Sequence, residues 1–168
     1  MTLSMYQASV PVFVRALGNL RHVLQKGEAF AAEKAVAPEV LLQTRLIPDM
    51  LPLVSQVRIA TDMATRGTSR LAGVEPTPVA DEETTFAELY ARIDNALAFV
   101  AGFTAAQIDG SESRPITLQM RSGELKFDGQ AYLLHFLLPN LFFHATTSYD
   151  ILRQAGVPLG KTDFIGAQ

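Results

Sequence analysis

Asn140 and His144 lie four residues apart in a stretch that is otherwise apolar, Leu137-Leu138-Pro139-Asn140-Leu141-Phe142-Phe143-His144. Four residues is about one helical turn, so the spacing predicts a carboxamide and an imidazole on one face. Ser148 follows one turn further on, with Thr147 beside it. Imidazole titrates near neutral pH and can ligate a metal or accept a proton, which makes His144 the best candidate ligand or general base. Polar groups on an apolar helix either satisfy one another in the core or line a wet pocket. The residue types fit both.

The other two histidines fit a site less well. His135 and His144 are nine residues apart, which on a regular helix places them on opposite faces, so His135 is expected to be structural. His22 follows Arg21 in a polar run and is expected to be solvated. Asp49 and Gln56 are seven apart and are expected on one helix face. Asp49 either caps the start of that helix or faces His144 as a carboxylate ligand. The candidate metal set is therefore His144, Asp49, Asn140 and Gln56. One imidazole, one carboxylate and two amides make a poor closed zinc site, and a divalent ion there would be weakly bound. No catalytic residue is assigned. A glycine-rich phosphate loop, an HExxH pair and a nucleophile-elbow serine are all missing from the sequence.

Helical periodicity dominates the elements that must position these groups. Val10, Phe13, Val14, Leu17, Leu20 and Leu24 form an apolar stripe, with Ser4 and Gln7 as a capping box and Gly27 as the expected stop. Pro11 either kinks that helix or lies near its true first turn. A short helix or turn is expected from Glu28 to Ala37, and Pro38 starts another through Leu46. Ile47-Pro48-Asp49 reads as the start of a second long helix, which Gly73 ends. Residues 74–81 form a loop. Thr85 and Glu88 cap a third long helix carrying Phe86, Leu89, Ile93, Leu97 and Val100. The acids Asp81, Glu82 and Glu83 ahead of it complement its dipole. Ile116 to Phe127 alternates around Gly123 and reads as a β-hairpin within about residues 115–128. The fourth long helix spans about Gln130 to Ala155, bent at Pro139 and stopped by Gly156. Near its end, Arg153 satisfies the dipole. The expected fold is all-α: one domain over residues 1–168, an antiparallel four-helix bundle with a small β-hairpin before its last helix.

The chain has 168 residues, 48% hydrophobic and 18% charged, with net charge -3. That excess of apolar side chains predicts a homodimer interface. Scattered charge of both signs gives no footprint for nucleic acid. With no cysteine, disulfides, thiolate metal sites and cysteine nucleophiles are excluded. The stretch from Ala131 to Ala145 is polar-interrupted and shorter than the ~18 residues of a membrane span, so no membrane association is expected. Met1 to Tyr6 lacks a basic region followed by an apolar run, and a cytoplasmic location is expected.

Four blocks carry a family resemblance: Arg45-Leu46-Ile47-Pro48-Asp49-Met50, Gln56-Val57, Leu138-Pro139-Asn140 through Phe143-His144, and Gly156-Val157-Pro158-Leu159-Gly160-Lys161-Thr162-Asp163. On these the chain resembles a family of bacterial and fungal proteins grouped as domain of unknown function 1993 (DUF1993), a branch of the DinB/YfiT-like superfamily. The resemblance implies a four-helix bundle, often dimeric. Many superfamily members hold a divalent metal through three histidines, and some are thiol-dependent transferases. Aligning the superfamily's helix-stop pattern on Ile151-Leu152-Arg153-Gln154-Ala155-Gly156 puts its paired histidines on Asn140 and His144. The third ligand would come from the second helix, which offers Asp49 or Gln56 and no histidine. Two of three ligand positions therefore depart from the pattern. The implied protein is a DinB-like bundle with a degenerate divalent-metal site and a small-molecule pocket near His144. The alternative is a metal-free ligand-binding or structural homodimer.

Overall fold

The computed structural model describes residues 3–120 and 123–166. Four long helices make the bundle: α1 (Met5–Glu33), α3 (Leu53–Ala72), α4 (Phe86–Ala101) and α7 (Leu138–Gln154). Short helices α2 (Pro38–Gln43), α5 (Ala105–Ile108), α6 (Gly129–Ala131) and α8 (Lys161–Ile165) connect or flank them. Strands β1 (Ile116–Met120) and β2 (Gly123–Phe127) pair antiparallel, with Leu118 opposite Leu125. Their turn residues Arg121 and Ser122 lie outside the described residues. Around the bundle the neighbours run α1–α4–α3–α7 and back to α1.

The apolar stripes of the four helices meet in one core. Phe13, Leu17 and Leu24 of α1 are fully buried with Leu53 and Val57 of α3, Leu89 and Ile93 of α4, and Leu141 and Leu152 of α7. Each such side chain contributes about 1.5–3 kcal/mol relative to exposure. The capping boxes at Ser4–Gln7 and Thr85–Glu88 form as the sequence predicts. Gly73 ends α3 at φ 73°, a left-handed conformation that favours glycine.

Three helix boundaries differ from expectation. Gly27 does not stop α1, which continues to Glu33 with Pro11 inside it. It is a packing residue: a Cβ there would come within 2.9 Å of Leu152 Cδ2. The segment from Glu28 is thus the last turns of α1. Pro38 does open a helix, but one that ends at Gln43 rather than Leu46. Pro48 and Asp49 do not open α3. Pro52 is its N-cap, and the Leu53 amide donates to Thr44 O at 3.0 Å. Residues 47–50 close a turn instead, with Met50 N donating to Ile47 O and Arg45 Nη1 to Met50 O. Two prolines compete for the helix start, and the second one begins the apolar stripe.

The last helix is continuous from Gly129 to Gln154 but not regular. Tyr132–Leu137 is a π-helical turn, and the Leu138 amide reaches five residues back to Leu133 O. Pro139 explains it. With no N–H at 139, the carbonyl four residues earlier loses its partner, and the wider turn redistributes the bonds. The expected bend is therefore a change of helical pitch just ahead of the proline.

The hairpin is fastened to this helix. Ile116 and Leu118 point into the core, while Phe127 packs on Tyr132 and Phe136 with ring centroids 5.9 and 5.5 Å apart. A free two-stranded hairpin is marginal in water, so the stability here comes from these contacts. Deleting Thr117 to Lys126 removes buried Leu118 and is expected to cost about 2 kcal/mol. Thermal unfolding should then shift down by about 5 °C; an unchanged midpoint would show the hairpin to be an appendage.

Candidate functional site

His144 sits half-buried on α7, facing α3. Its Nδ1 is 2.7 Å from Oε1 of Gln56, which is 2% exposed. Gln56 Nε2 donates to Leu51 O at 3.0 Å, so its oxygen must be the atom turned to the histidine. An amide oxygen only accepts; Nδ1 therefore carries the proton and Nε2 the lone pair. Burial lowers the His144 pKa from the ordinary 6.5, keeping the ring neutral at pH 7. Nε2 has no protein partner among the described residues, yet it is not among their sealed, unpaired polar atoms, so solvent has access to it. Phe143, 55% exposed, sets its ring edge-on to the imidazole at 5.2 Å.

The other polar groups on this face serve the helix. Asn140 Nδ2 donates to Phe136 O at 2.6 Å, within the turn disturbed by Pro139. Thr147 and Ser148 donate to Phe143 O and His144 O, each at 2.8 Å. Asp49 is exposed in the turn before α3, so it shares no helix face with Gln56, and no hydrogen bond or ion pair joins it to His144 among the described residues. The structure thus brings His144 and Gln56 together, with Asn140 one turn away on α7 and Asp49 outside α3. Among the described residues no three His, Cys, Asp or Glu side chains converge to hold a metal. His135 is exposed within the π turn. His22 is exposed too but pairs with Asp163 at 2.9 Å.

That last pair explains the most specific block of the sequence. Gly156, at φ 96°, turns the chain back along α1. Asp163 Oδ2 then accepts from Gly160 N at 2.7 Å, capping α8, while Oδ1 faces Lys26 at 3.0 Å and His22. These bonds, the backbone one first, hold the Asp163 carboxyl well below the usual carboxylate range. Asn19 Nδ2 donates to Phe164 O and Ile165 O, at 2.9 and 2.8 Å. The block is a clasp onto α1.

A feature the residue patterns did not single out lies on the far side of α3. A cavity of about 540 Å³ opens between α3 and α4, and Thr77, Val79, Ala80, Glu82 and Glu83 of the preceding segment form its third wall. Arg92 anchors that wall. Its side chain is 4% exposed and donates to Thr61 Oγ1, Ala80 O, Glu83 and Asp62 at 2.8–2.9 Å. Arg58 holds the other Glu83 oxygen at 2.8 Å. Burial alone would raise the Glu83 carboxyl, but the bonds from Arg92 and Arg58 bring it below its usual value. Glu83 is thus a strut rather than a dipole acid. The available signal was Arg92 itself, a charge on the apolar stripe of α4 between Leu89 and Ala96.

An antiparallel four-helix bundle, with a hairpin leading into a last helix whose histidine faces the second long helix, is a DinB-like architecture. The crystal structure of a DinB family member from Shewanella denitrificans is similar over 97% of this chain and 92% of that one, at 38% identity and TM-score 0.89. The chain belongs to the DUF1993 family, a domain of unknown function whose model matches residues 5–165. No curated protein matches it. No helix among the described residues is long and apolar enough to cross a membrane.

Proposed function

We propose that this bundle is a cytoplasmic, homodimeric small-molecule-binding protein that engages its ligand through Nε2 of His144. The carrying observation is the Gln56-locked imidazole, neutral by burial, with a lone pair accessible to solvent. Such a nitrogen accepts a hydrogen bond from a hydroxyl or amine donor beside the apolar surface of Phe143. Binding is favoured over catalysis because general acid–base chemistry needs a second group to polarise the substrate. Asn140 is committed to Phe136 O, and no hydrogen bond or ion pair joins Asp49 to His144 among the described residues. The three-imidazole metal of the superfamily does not fit this donor set. A divalent ion drawn to His144, Asn140, Gln56 and Asp49 would be held weakly at best. Phe142, Phe143 and Leu134, all exposed on the last helix, support the dimer.

The test is nitrogen NMR of the His144 ring with phenol as the probe. At pH 7 the ring should show a protonated Nδ1 and a bare Nε2, whose signal shifts saturably on adding phenol. His144→Phe should abolish that binding. A protonated Nε2, or phenol binding untouched by the substitution, overturns the reading. The same ring sets a pH dependence. Its folded pKa is lowered, so the unfolded chain binds the extra proton first. Stability is therefore full above about pH 6.5 and declines as pH falls towards the folded pKa; His144→Gln should flatten that slope. For the metal form, Asn140→His creates an i, i+4 imidazole pair and should tighten zinc about tenfold against a chelating dye. If neither protein takes zinc, the metal form is abandoned. Light scattering should give a dimer mass at micromolar concentration; a monomer mass would remove that part.

A further inference from the structure

We infer that the cavity between α3 and α4 is a second ligand site, and that it takes a small organic cation: an ammonium group carried on an apolar body. This goes beyond the His144 reading and does not depend on it. A volume of about 540 Å³ is the size of pocket that holds a small molecule.

The ligand class follows from which polar atoms are already used. On α3, Thr61, Thr65 and Ser69 line the cavity four residues apart. Each hydroxyl proton is spent on the helix's own backbone: Thr61 donates to Arg58 O, Thr65 to Thr61 O and Ser69 to Thr65 O. Thr61 Oγ1 also accepts from Arg92. The Thr65 and Ser69 oxygens are left with lone pairs only, so this stripe receives hydrogen bonds and offers none.

Charge points the same way. Arg92 is saturated by Thr61, Ala80, Asp62, Asp81 and Glu83, and Arg66 pairs with Asp62 at 3.1 Å. Four carboxylates line the cavity, Asp62, Glu82, Glu83 and Glu88, against two guanidiniums. Among the described residues Glu82 has no partner, and Glu88 uses one oxygen, Oε2, on the α4 cap. Apart from Thr77 and Asn95, the remaining surface is apolar. Val79 and Phe99 are 48% and 43% exposed, an unusual state for side chains that share a concave wall. An acceptor-only stripe on α3, surplus negative charge and an uncovered aromatic ring together match an ammonium with a hydrocarbon tail, and the ring adds a cation–π partner. A carboxylate or phosphate ligand would add to that negative surplus.

The test uses three probes of one shape on the full chain: phenethylammonium, neutral 2-phenylethanol and phenylacetate. In amide NMR titrations the ammonium should saturate, with shifts centred on Thr65, Ser69 and Asn95. The alcohol should bind at least about tenfold more weakly and the carboxylate more weakly still. Glu82→Gln should weaken the ammonium several-fold and leave the alcohol unchanged. Ala91→Leu, an exposed helix position on the cavity wall, should block both while unfolding at the wild-type temperature. Equal binding of phenylacetate overturns the inference. So does the absence of saturable ammonium binding, or an ammonium affinity untouched by both substitutions. Failure of the His144 reading leaves all of these outcomes unmoved, because that site is read by phenol and by its own ring signals.

Discussion

Arg92→Met should lower the stability of the fold by about 3–5 kcal/mol, the usual cost of stripping one partner from a buried ion network. The methionine fills much the same volume, so the loss is electrostatic. Asp62 and Glu83 would keep their burial and each lose one of its two guanidiniums, leaving Arg66 on Asp62 and Arg58 on Glu83. Ala80 O would lose its donor as well, releasing the wall that encloses the cavity. Chemical denaturation should show the midpoint falling with an unchanged slope. Adding Glu83→Gln to Arg92→Met should recover part of the loss, because an amide tolerates burial with one oxygen unpaired better than a carboxylate does. The network also sets an acid limit. Glu83 is held below its ordinary pKa, so its contribution is full above about pH 4.5 and is lost as pH falls through the folded value. A loss under about 1 kcal/mol for Arg92→Met would mean that water reaches these charges and that the strut is weaker than its geometry.

Gly129→Ala is expected to be nearly as damaging, for a steric reason. Gly129 opens the last helix, and a Cβ there would overlap the Ser111 carbonyl oxygen. The obstacle is backbone, pinned by Arg114 N donating to Ser111 O at 3.0 Å and Gln130 N donating to Glu112 O at 2.9 Å. Neither strand of that contact can step aside without losing hydrogen bonds. A cost of about 3 kcal/mol follows, at the upper end for overpacking. Gly18, whose Cβ would meet nothing within 4 Å, is the control, and Gly18→Ala should be neutral or slightly stabilising. If both substitutions behave alike, the approach of the two segments is looser than described.

The bundle was legible because its information is local and periodic. The stripes of α1 and α4, their capping boxes and the glycine stops at 73 and 156 each needed only a few neighbouring residues. What failed at Gly27 and Pro48 was also local reading, but of signals that tertiary structure overrides. A glycine can end a helix or admit Leu152, and nothing near Gly27 distinguishes them. At the candidate site, His144 and Gln56 stood out by type and met across 88 residues of chain. Their pairing came from α3–α7 packing rather than from spacing within one helix. Asp49 was misplaced because its helix was started at Pro48, five residues ahead of Leu53. The cavity was hidden for a different reason: its wall is an irregular segment with no periodicity, fixed in place by Arg92 and Arg58.

The π turn at Tyr132–Leu137 also has an evolutionary meaning. A π turn holds one more residue than the α turn it replaces, so it takes up an extra residue within one turn of a continuous helix. Removing one residue between Leu133 and Phe136 would restore the regular pitch and leave the two ends of the helix facing nearly as they do now. The same deletion in the regular part of α7 would instead rotate one end against the other by about 100°. A one-residue gap at the π turn between relatives would therefore record a change of length rather than a change of face.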